Sequence, residues 1–228
     1  MITISLCGID GSGKSTLARE LLKILSNKLK VKIVWFRWRA FLTYALYLYS
    51  KIKKHTIMEF NPRTRTYIKV HRWSQDPLLK ATCHHFLIID MLLYYIFIQL
   101  VARLSRVDIL IFDRFFIDAL VDATYETKNK TILQSFPSKI VYLHVKRISY
   151  CAILDIPPEI AWQRKKDTLS MKEVSYKRGL YKALATVLGL PVLSGILPPK
   201  KLCEVILATM ERTRSIRKGF GYDKLSHL

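Results

Sequence analysis

The sequence predicts an α/β protein in which helices cover both faces of a five-stranded parallel sheet. Short apolar segments of strand length alternate with segments of helical periodicity along most of the chain. The clearest apolar segment, Val107 to Phe112, is interrupted only by Asp108, and such continuity is typical of a strand covered on both faces. The length of 228 residues fits one domain with its own core. We therefore expect a single three-layer α/β/α unit.

Each predicted element has a local signal. The first strand stops at a glycine turn, Pro158 suits the first position of a helix, and Gly189 ends the helix before the last strand. The predicted strands are Thr3 to Cys7, Val31 to Phe36, Val107 to Phe112, Tyr150 to Leu154 and Pro191 to Leu193. The predicted helices are Leu17 to Leu25, Phe41 to Lys51, Leu78 to Leu104, Glu159 to Lys166, Lys172 to Leu188 and Pro199 to Arg212. Ala119 to Leu143 is partly helical, and Lys53 to Pro77 is polar, basic and irregular.

The chain divides into one domain, residues 1–213, and a tail, residues 214–228. The tail carries Arg214, Arg217, Lys218 and Lys224 together with two glycines, so we expect a mobile basic terminus. No internal repeat and no second domain are evident.

Composition excludes several classes of protein. Half of the residues are hydrophobic and 24% are charged, which excludes a disordered, collagen-like or disulfide-scaffold protein. The four cysteines are scattered, without a CxxC pair or a Cys/His cluster at zinc spacing. A reducing, cytoplasmic compartment fits this cysteine usage best.

Targeting and membrane-spanning segments are not expected either. The amino terminus, MITISLCG, has no basic region and no small-residue cleavage site, so it is interpreted as the first strand and not as a signal peptide. The longest apolar stretch, Phe86 to Leu100, is shorter than the ~20 residues that span a bilayer and contains Asp90. It is interpreted as a buried helix.

The charge is the most unusual bulk property. Thirty-eight Lys and Arg against seventeen Asp and Glu give +21, a charge that attracts phosphates of nucleotides, nucleic acids or anionic lipids. Leu21 to Gln75 holds thirteen of these cations and one acid, Glu59. Aromatic residues are interleaved there, among them Trp35, Phe36, Trp38, Tyr44, Tyr47 and Tyr49. Such a pattern keeps open a nucleic-acid-binding or membrane-surface protein, although the spacing of Trp35, Phe36, Tyr44 and Tyr47 favours core positions.

A glycine-rich motif carries the clearest functional signal. Gly8, Gly13, Lys14 and Ser15 lie at the spacing GxxxxGK[ST], with a strand before the motif and a helix after it. The glycines let backbone N–H groups turn onto a phosphate, the helix start adds its positive dipole end, and Lys14 adds a charge. The Ser15 hydroxyl suits Mg²⁺. The alternative, a turn that only links strand to helix, would not require both the lysine and the serine.

A second polar pair follows the strand at Val107 to Phe112. Asp113 at the carboxyl end of this strand stands where Mg²⁺ or its water shell needs a negative ligand, and Arg114 beside it can point at a transferring phosphate. Asp113 could instead cap the following helix, and Arg114 could point to solvent.

Three segments together resemble a known family. GIDGSGKST (8–16), ILIFDRF (109–115) and ILDIPPEIAWQRKK (153–166), in this order and spacing, are similar to the thymidylate kinase family of nucleoside monophosphate kinases. The resemblance extends from Ile2 to about Glu211. It implies a P-loop kinase fold, ATP and Mg²⁺ as cofactors, a small nucleotide as substrate, phosphoryl transfer to a nucleoside monophosphate, and pairing of helices in a homodimer.

The resemblance also implies residue roles. Asp10 corresponds to the carboxylate that holds the acceptor sugar, and Arg39 or Arg37 to the arginine that holds the acceptor phosphate, the alternative for both being a solvated loop arginine. Arg164 lies in a lid around residues 162–176 that supplies cations over ATP. Lys165 and Lys166 fan around the helix with it, and Lys166 is expected in solvent. Catalytic roles fall to Lys14, Asp113, Arg114 and Arg164. Nucleotide contacts are further expected from Gly8, Gly11, Ser12, Gly13, Ser15, Thr16 and Phe115.

Several positions depart from the family pattern. Cys7 replaces an acidic residue, and Lys80 and His84 stand where a base-stacking Phe and a thymine-reading Arg are usual. Asp118 and Asp122 replace a Ser and an aromatic residue. Being four residues apart, they share one helix face, where they would bind hydroxyls, amines or a second cation, or else form an exposed acidic face. These carboxylates motivate an alternative acceptor, a nucleoside or another small hydroxylated molecule.

Overall fold

The computed structural model describes residues 1–37, 41–166 and 170–218, and the side chains among them up to residue 211. The described part contains seven strands and eight α-helices. The strands are β1 (Ile2–Gly8), β2 (Val31–Trp35), β3 (Thr56–Asn61), β4 (Thr66–His71), β5 (Ile109–Asp113), β6 (Tyr150–Asp155) and β7 (Val192–Ser194). The helices are α1 (Lys14–Leu25), α2 (Thr43–Ile52), α3 (Pro77–Leu104), α4 (Phe116–Thr127), α5 (Phe136–Arg147), α6 (Pro158–Arg164), α7 (Met171–Leu188) and α8 (Pro199–Lys218).

The central sheet has five parallel strands in the order β2-β5-β1-β6-β7, which confirms the predicted fold class. In this register Leu6 of β1 lies beside Asp113 of β5, and Gly8 lies beside Leu154 of β6. The carboxyl ends of the three middle strands therefore meet at one edge. The chain leaves β1 toward the face covered by α1 and leaves the neighbouring β5 toward the opposite face, covered by α4. Ligands bind at such a divergence in open α/β sheets.

Two hydrophobic layers sandwich the sheet. Alternate residues of β5 point to opposite faces: Ile109 and Ile111 join the layer under α1 and α8, whereas Leu110 and Phe112 join the layer that includes α3, α4, α5 and α7. All four side chains are buried, which explains the continuous apolar run in the sequence.

Two aromatic residues predicted in the core lie at the surface. Phe36 is 1% exposed, but Trp35 and Tyr44 are 54% and 52% exposed. Trp35 is the last residue of β2, which is an edge strand of the sheet, so one of its sides has no neighbouring strand to cover it. The prediction of core positions is therefore wrong for Trp35 and Tyr44.

The prediction of irregular structure from Lys53 to Pro77 is also wrong. Strands β3 and β4 form an antiparallel hairpin with Asn61 paired to Thr66. The segments TIMEFN and TYIKVH are rich in β-branched and aromatic residues, which favour strands. The basic residues around these segments, including Arg63, Arg65 and Arg72, make the region polar overall and mask this preference. The hairpin forms a two-stranded sheet of its own, apart from the central one.

Helix α3 is not a fully buried helix. Its inner face, with Leu79, Cys83, Leu87 and Met91, is buried, whereas its outer face exposes large apolar side chains. One 18-residue window has a mean hydropathy of 1.9 and is only 28% buried, so α3 is long and apolar enough to cross a membrane by length and composition. Asp90 is buried and accepts backbone hydrogen bonds from Phe41, Leu42 and Thr43 at 2.8–2.9 Å. The acid in α3 thus caps the start of α2.

The final helix is longer than predicted. Helix α8 continues to Lys218, so residues 214–218 of the predicted tail are helical. Residues 219–228 lie outside the described residues.

Candidate functional site

The loop between β1 and α1 has a backbone that glycine alone adopts readily. Gly11 and Gly13 have φ of +84° and +96°, in the left-handed region that favours glycine. A Cβ on Gly11 would lie 2.6 Å from the Ala161 carbonyl oxygen of α6. Gly195, after β7, likewise allows close packing against the loop, because a Cβ there would lie 2.5 Å from the Ser12 carbonyl oxygen. The loop is thus tightly enclosed by α6 and the segment after β7.

Lys14 is folded back over this loop. Its ammonium is buried and donates to the carbonyl oxygens of Gly8 at 2.5 Å and Ile9 at 2.8 Å. Burial, reinforced by the charge of Arg114, lowers the pKa of Lys14, and Asp118, Asp10 and Asp113 oppose that shift. The side chain is therefore placed at the loop by specific acceptors and held near several carboxylates.

A cavity of about 610 Å³ opens in front of the loop at the carboxyl edge of the sheet. Residues of the loop and of α1 from Asp10 to Leu17 line it, including Ser12, Ser15 and Thr16. The other lining residues are Trp35, Arg37, Arg114, Leu154, Arg164, Lys165, Gly195 to Pro199 and Leu202. Within the described part of the chain, five cationic side chains and one carboxylate, Asp10, line this space. The cavity is therefore suited to a polyanion.

Asp113 and Arg114 lie where β5 ends beside the loop. Asp113 is buried, and its Oδ1 has no hydrogen-bond partner. It does not cap α4, because the backbone N–H of Phe115 at the helix start donates to Asp118 Oδ2 at 2.8 Å. The capping alternative for Asp113 is therefore wrong. Arg114 has φ of +73°, its N–H donates to the Leu6 carbonyl oxygen at 3.0 Å, and its guanidinium pairs with Asp10.

Asp10 is ionised in this setting. Burial opposes its charge, but the charges of Arg114 and Lys14, with smaller contributions from Arg37 and Lys177, hold the pKa of Asp10 well below its usual value. The carboxylate can therefore accept hydrogen bonds at any physiological pH.

The residues present fit Mg²⁺ bound mainly by water and phosphate oxygens. Asp113 Oδ1 is an unpartnered buried carboxylate oxygen, and Ser15 lines the cavity. Such hard oxygen ligands suit Mg²⁺, which usually takes only one or two protein ligands. Among the described residues there is no group of three or more His, Cys, Asp or Glu that could enclose a metal ion.

Asp118 and Asp122 share a helix face as predicted, but that face is buried. Asp118 Oδ1 accepts from the Tyr181 hydroxyl at 2.8 Å and from the Gly8 N–H at 3.4 Å. Burial raises its pKa despite Lys14 and Arg114. Asp122 pairs with Lys177 at 2.8 Å. The prediction of an exposed acidic face is therefore wrong. Asp118 instead connects α4 to α7 and to the glycine-rich loop through hydrogen bonds.

The comparisons with known proteins bear on the fold. No family model matches the chain, and no curated protein matches it in sequence. Among solved structures, deoxyadenosine kinase from M. mycoides with bound dATP aligns with a TM-score of 0.51 at 15% identity, over 92% of this chain and 100% of that one. This chain has a P-loop kinase fold. A structure of that kinase with the products dCMP and a flexible dCDP aligns over the same shares at 17% identity, with a TM-score of 0.49.

The P-loop kinase fold brings some of the other predicted residues to the cavity. Arg37 and Lys165 line it, and Arg164 lines it while donating to the Gly195 carbonyl oxygen at 3.3 Å. Lys166 is exposed, as expected. Arg39 lies outside the described residues, as do residues 167–169 of the predicted lid.

Other predicted residues lie away from the cavity. Phe115 is fully buried in an aromatic cluster with Phe36, Phe112 and Phe116, so the predicted nucleotide contact of its side chain is wrong. His84 is buried, and burial, helped by the charge of His85, lowers its pKa to about 4. A neutral, buried imidazole is not placed to replace the thymine-reading arginine that the thymidylate kinase family has at this position.

A contact between the hairpin and α6 was not foreseen from the sequence. Arg63, in the turn after β3, donates to the carbonyl oxygens of Trp162 at 2.6 Å and Lys165 at 3.4 Å. Asn61 donates to the carbonyl oxygen of Lys166 at 3.1 Å. These are carbonyl groups at the end of α6, where helices lack internal donors. The hairpin therefore caps the segment that presents Arg164 and Lys165.

Two residues of α7 were also missed. Lys177 bridges Asp122 and Glu173, with both contacts at 2.8 Å, and Tyr181 holds Asp118. The i, i+4 spacing of Glu173 and Lys177 was a usable signal for a helical ion pair. No feature of the sequence indicates that Lys177 and Tyr181 contact Asp122 and Asp118 of α4.

Proposed function

We propose that the protein transfers the terminal phosphoryl group of ATP to a hydroxyl group of a nucleoside-type acceptor. The observation that carries the proposal is the cationic cavity at the glycine-rich loop, where Lys14, Arg114, Arg164 and Lys165 converge. The shared fold with a deoxyadenosine kinase supports it. A cavity of about 610 Å³ is also large enough for a nucleotide.

The donor side of the mechanism rests on positioning and charge. The backbone N–H groups of the loop bind the donor phosphates, and Lys14 exchanges its contacts with the Gly8 and Ile9 carbonyls for phosphate oxygens. Arg114 and Arg164 stabilise the charge that develops on the transferring group. Ser15 and Asp113 would hold Mg²⁺, which supplies neutralisation of the phosphate charge when bound. No covalent intermediate with the protein is needed.

The acceptor side favours a neutral molecule. Asp10 stays ionised and can accept a hydrogen bond from an acceptor hydroxyl, which orients its oxygen toward the donor. Next to it, Asp122 and Glu173 share the single ammonium of Lys177. These three groups carry a net negative charge, which repels an acceptor phosphate.

A nucleoside monophosphate is the second candidate acceptor, because Arg37 lines the cavity. An arginine there can hold an acceptor phosphate in a bidentate contact. The two candidates differ in whether Arg37 contributes to acceptor binding.

A coupled assay of ADP release tests both candidates with ATP, Mg²⁺ and a panel of nucleosides and nucleoside monophosphates. We expect acceptor-dependent turnover that Lys14→Ala reduces by roughly 100-fold or more, whereas Lys23→Ala, at the exposed end of α1, leaves it unchanged. Arg37→Ala should spare KM for a nucleoside and raise KM for a monophosphate. Failure of every acceptor, or normal turnover in Lys14→Ala, would disprove the proposal.

A further inference from the structure

The outer face of α3 is a continuous apolar surface. Seven side chains at helical spacing form it, and we name this set the α3 apolar face: Phe86 (36% exposed), Ile89 (44%), Leu93 (53%), Ile96 (61%), Phe97 (58%), Leu100 (56%) and Leu104 (75%). At 1.5 Å per residue, the face extends for roughly 27 Å. Asp90 follows Phe86 by four residues and therefore lies at the edge of this face. It is buried against the start of α2, so it exposes no charge there. Exposed apolar patches of this extent mark interaction sites.

The charges around this face have one sign. Helices α2 and α5 pack beside α3, and every exposed charged side chain of the three helices is a cation: Lys51, Lys80, Arg103, Lys139, Lys146 and Arg147. The one acid of these helices, Asp90, is engaged by the start of α2. The neighbouring helices add exposed apolar residues, including Ile52 (79% exposed) and Phe136 (75%). The exposed surface of these three helices therefore combines an apolar strip on α3 with charges that are all cationic.

We propose that the α3 apolar face docks the protein on an anionic lipid surface, with α3 lying in the plane of the membrane. Apolar side chains enter the boundary between headgroups and acyl chains, and flanking Lys and Arg pair with anionic headgroups. The net charge of +21 adds long-range attraction to such a surface.

Charge complementarity selects this occupant over two others. A second copy of the chain would bring another exclusively cationic set of helices, with no exposed acid on them to pair with it. A nucleic acid would find few stacking surfaces, because five of the seven side chains are aliphatic, whereas bases stack on aromatic rings. Lipid alone offers hydrocarbon and negative charge together.

The helix lies on the membrane and does not cross it. A crossing would withdraw Asp90 from the Phe41, Leu42 and Thr43 N–H groups and expose the cavity-forming core to lipid. Leu87 and Met91 pack inward, so only the outward face is available.

Vesicle co-sedimentation of the full chain tests the proposal. We expect binding to phosphatidylcholine vesicles that contain phosphatidylserine, weak binding to phosphatidylcholine alone, and a steep loss of binding as salt rises. The double variant Ile96→Gln/Leu100→Gln should weaken binding by roughly tenfold or more. Val187→Gln, a substitution of an equally exposed apolar residue on α7 (71% exposed), should bind normally. Lys139→Glu/Lys146→Glu should weaken binding at low salt while leaving the apolar face intact.

Three outcomes would overturn the proposal. The first is no co-sedimentation with phosphatidylserine vesicles at low salt. The second is undiminished binding by the Ile96→Gln/Leu100→Gln variant. The third is a dimer in light scattering that this variant dissociates, with no vesicle binding by the wild type, since the face would then cover a second copy. Thermal melting of each variant verifies folding. None of these results depends on the proposed kinase activity.

Discussion

The guanidinium of Arg63 lies 3.6 Å from the centroid of the Trp162 ring and donates to the carbonyl oxygen of the same residue at 2.6 Å. This pair joins the turn of the hairpin to α6, two residues before Arg164. The hairpin is thus mechanically connected to the cations that line the phosphate cavity.

Arg63→Ala should therefore impair the donor site from a distance. Loss of the cation–π contact and two hydrogen bonds should raise KM for ATP by roughly tenfold, with a smaller effect on kcat and none on KM for the acceptor. The fluorescence of Trp162 should change at the same time, a signal that general loss of stability would not produce below the melting transition. Arg65→Ala, an exposed arginine of the same turn, is the matched control and should have neither effect.

Gly11→Ala and Gly13→Ala should differ although both glycines have positive φ. Each substitution carries a backbone cost of about 1–2 kcal/mol. A Cβ on Gly13 meets nothing within 4 Å, whereas one on Gly11 meets the Ala161 carbonyl at 2.6 Å. Urea unfolding should show a larger loss for Gly11→Ala, because α6 must shift. Equal losses would contradict this packing argument. Gly179→Ala, in open space within α7, should stabilise by ~0.5–1 kcal/mol.

Asp113→Asn should separate metal use from folding. The buried Oδ1 has no hydrogen-bond partner in the fold, so we expect the free energy of unfolding to change by less than about 1 kcal/mol. Turnover should fall by roughly 100-fold or more and require higher Mg²⁺. Asp108→Asn, at the exposed approach to the other end of β5, should leave the Mg²⁺ titration unchanged. A wild-type Mg²⁺ response in Asp113→Asn would remove this residue from the metal site.

Glu126 should make stability fall as pH rises. Burial, followed by the charge of Asp122, raises the pKa of Glu126 from 4.5 to about 8, and its Oε2 has no hydrogen-bond partner. Between these two pH values the folded state binds more protons than the unfolded state, so the free energy of unfolding decreases with increasing pH.

The variant Glu126→Gln tests this dependence. Urea unfolding should show a gain of about 1–3 kcal/mol near pH 8.5 and little gain at about pH 3.5, below both pKa values, where the carboxyl is protonated in both states. Glu204→Gln, an exposed residue on α8, should show no such pH-dependent gain. A gain that is equal at both pH values would contradict the raised pKa.

The fold and the glycine-rich loop could be predicted from the sequence because their signals are local. Strand β5 is apolar on both faces, and a parallel sheet explains that pattern. The glycines and Lys14 lie within eight consecutive residues, so their spacing alone predicts an anion-binding turn. Asp113 and Arg114 were found because they follow a recognisable strand.

The remaining parts depend on contacts between distant segments. Asp118 is tied to Tyr181 on α7 and to Gly8 of the loop, and one helix face cannot reveal whether such partners exist. Arg63 lies in a segment rich in basic residues, and its partners are backbone carbonyl groups, which every residue has. The sequence therefore gives no signal that distinguishes Arg63 from the other cations. Likewise, an apolar helix has the same composition whether its outer face meets core or solvent. The prediction that α3 is buried was wrong for this reason.

The cap that Asp90 provides has a consequence for the order of folding. Helix α2 has no side-chain cap of its own, and its first N–H groups bond to an acid that follows them by 47–49 residues. During synthesis, α2 and the hairpin leave the ribosome before their anchor exists. A ten-residue helix without packing is marginal in water, so this region must wait for α3 before it consolidates. The part of the molecule that later holds Arg164 in place is thus completed late, and a nascent chain interrupted before residue 90 would expose it unfolded.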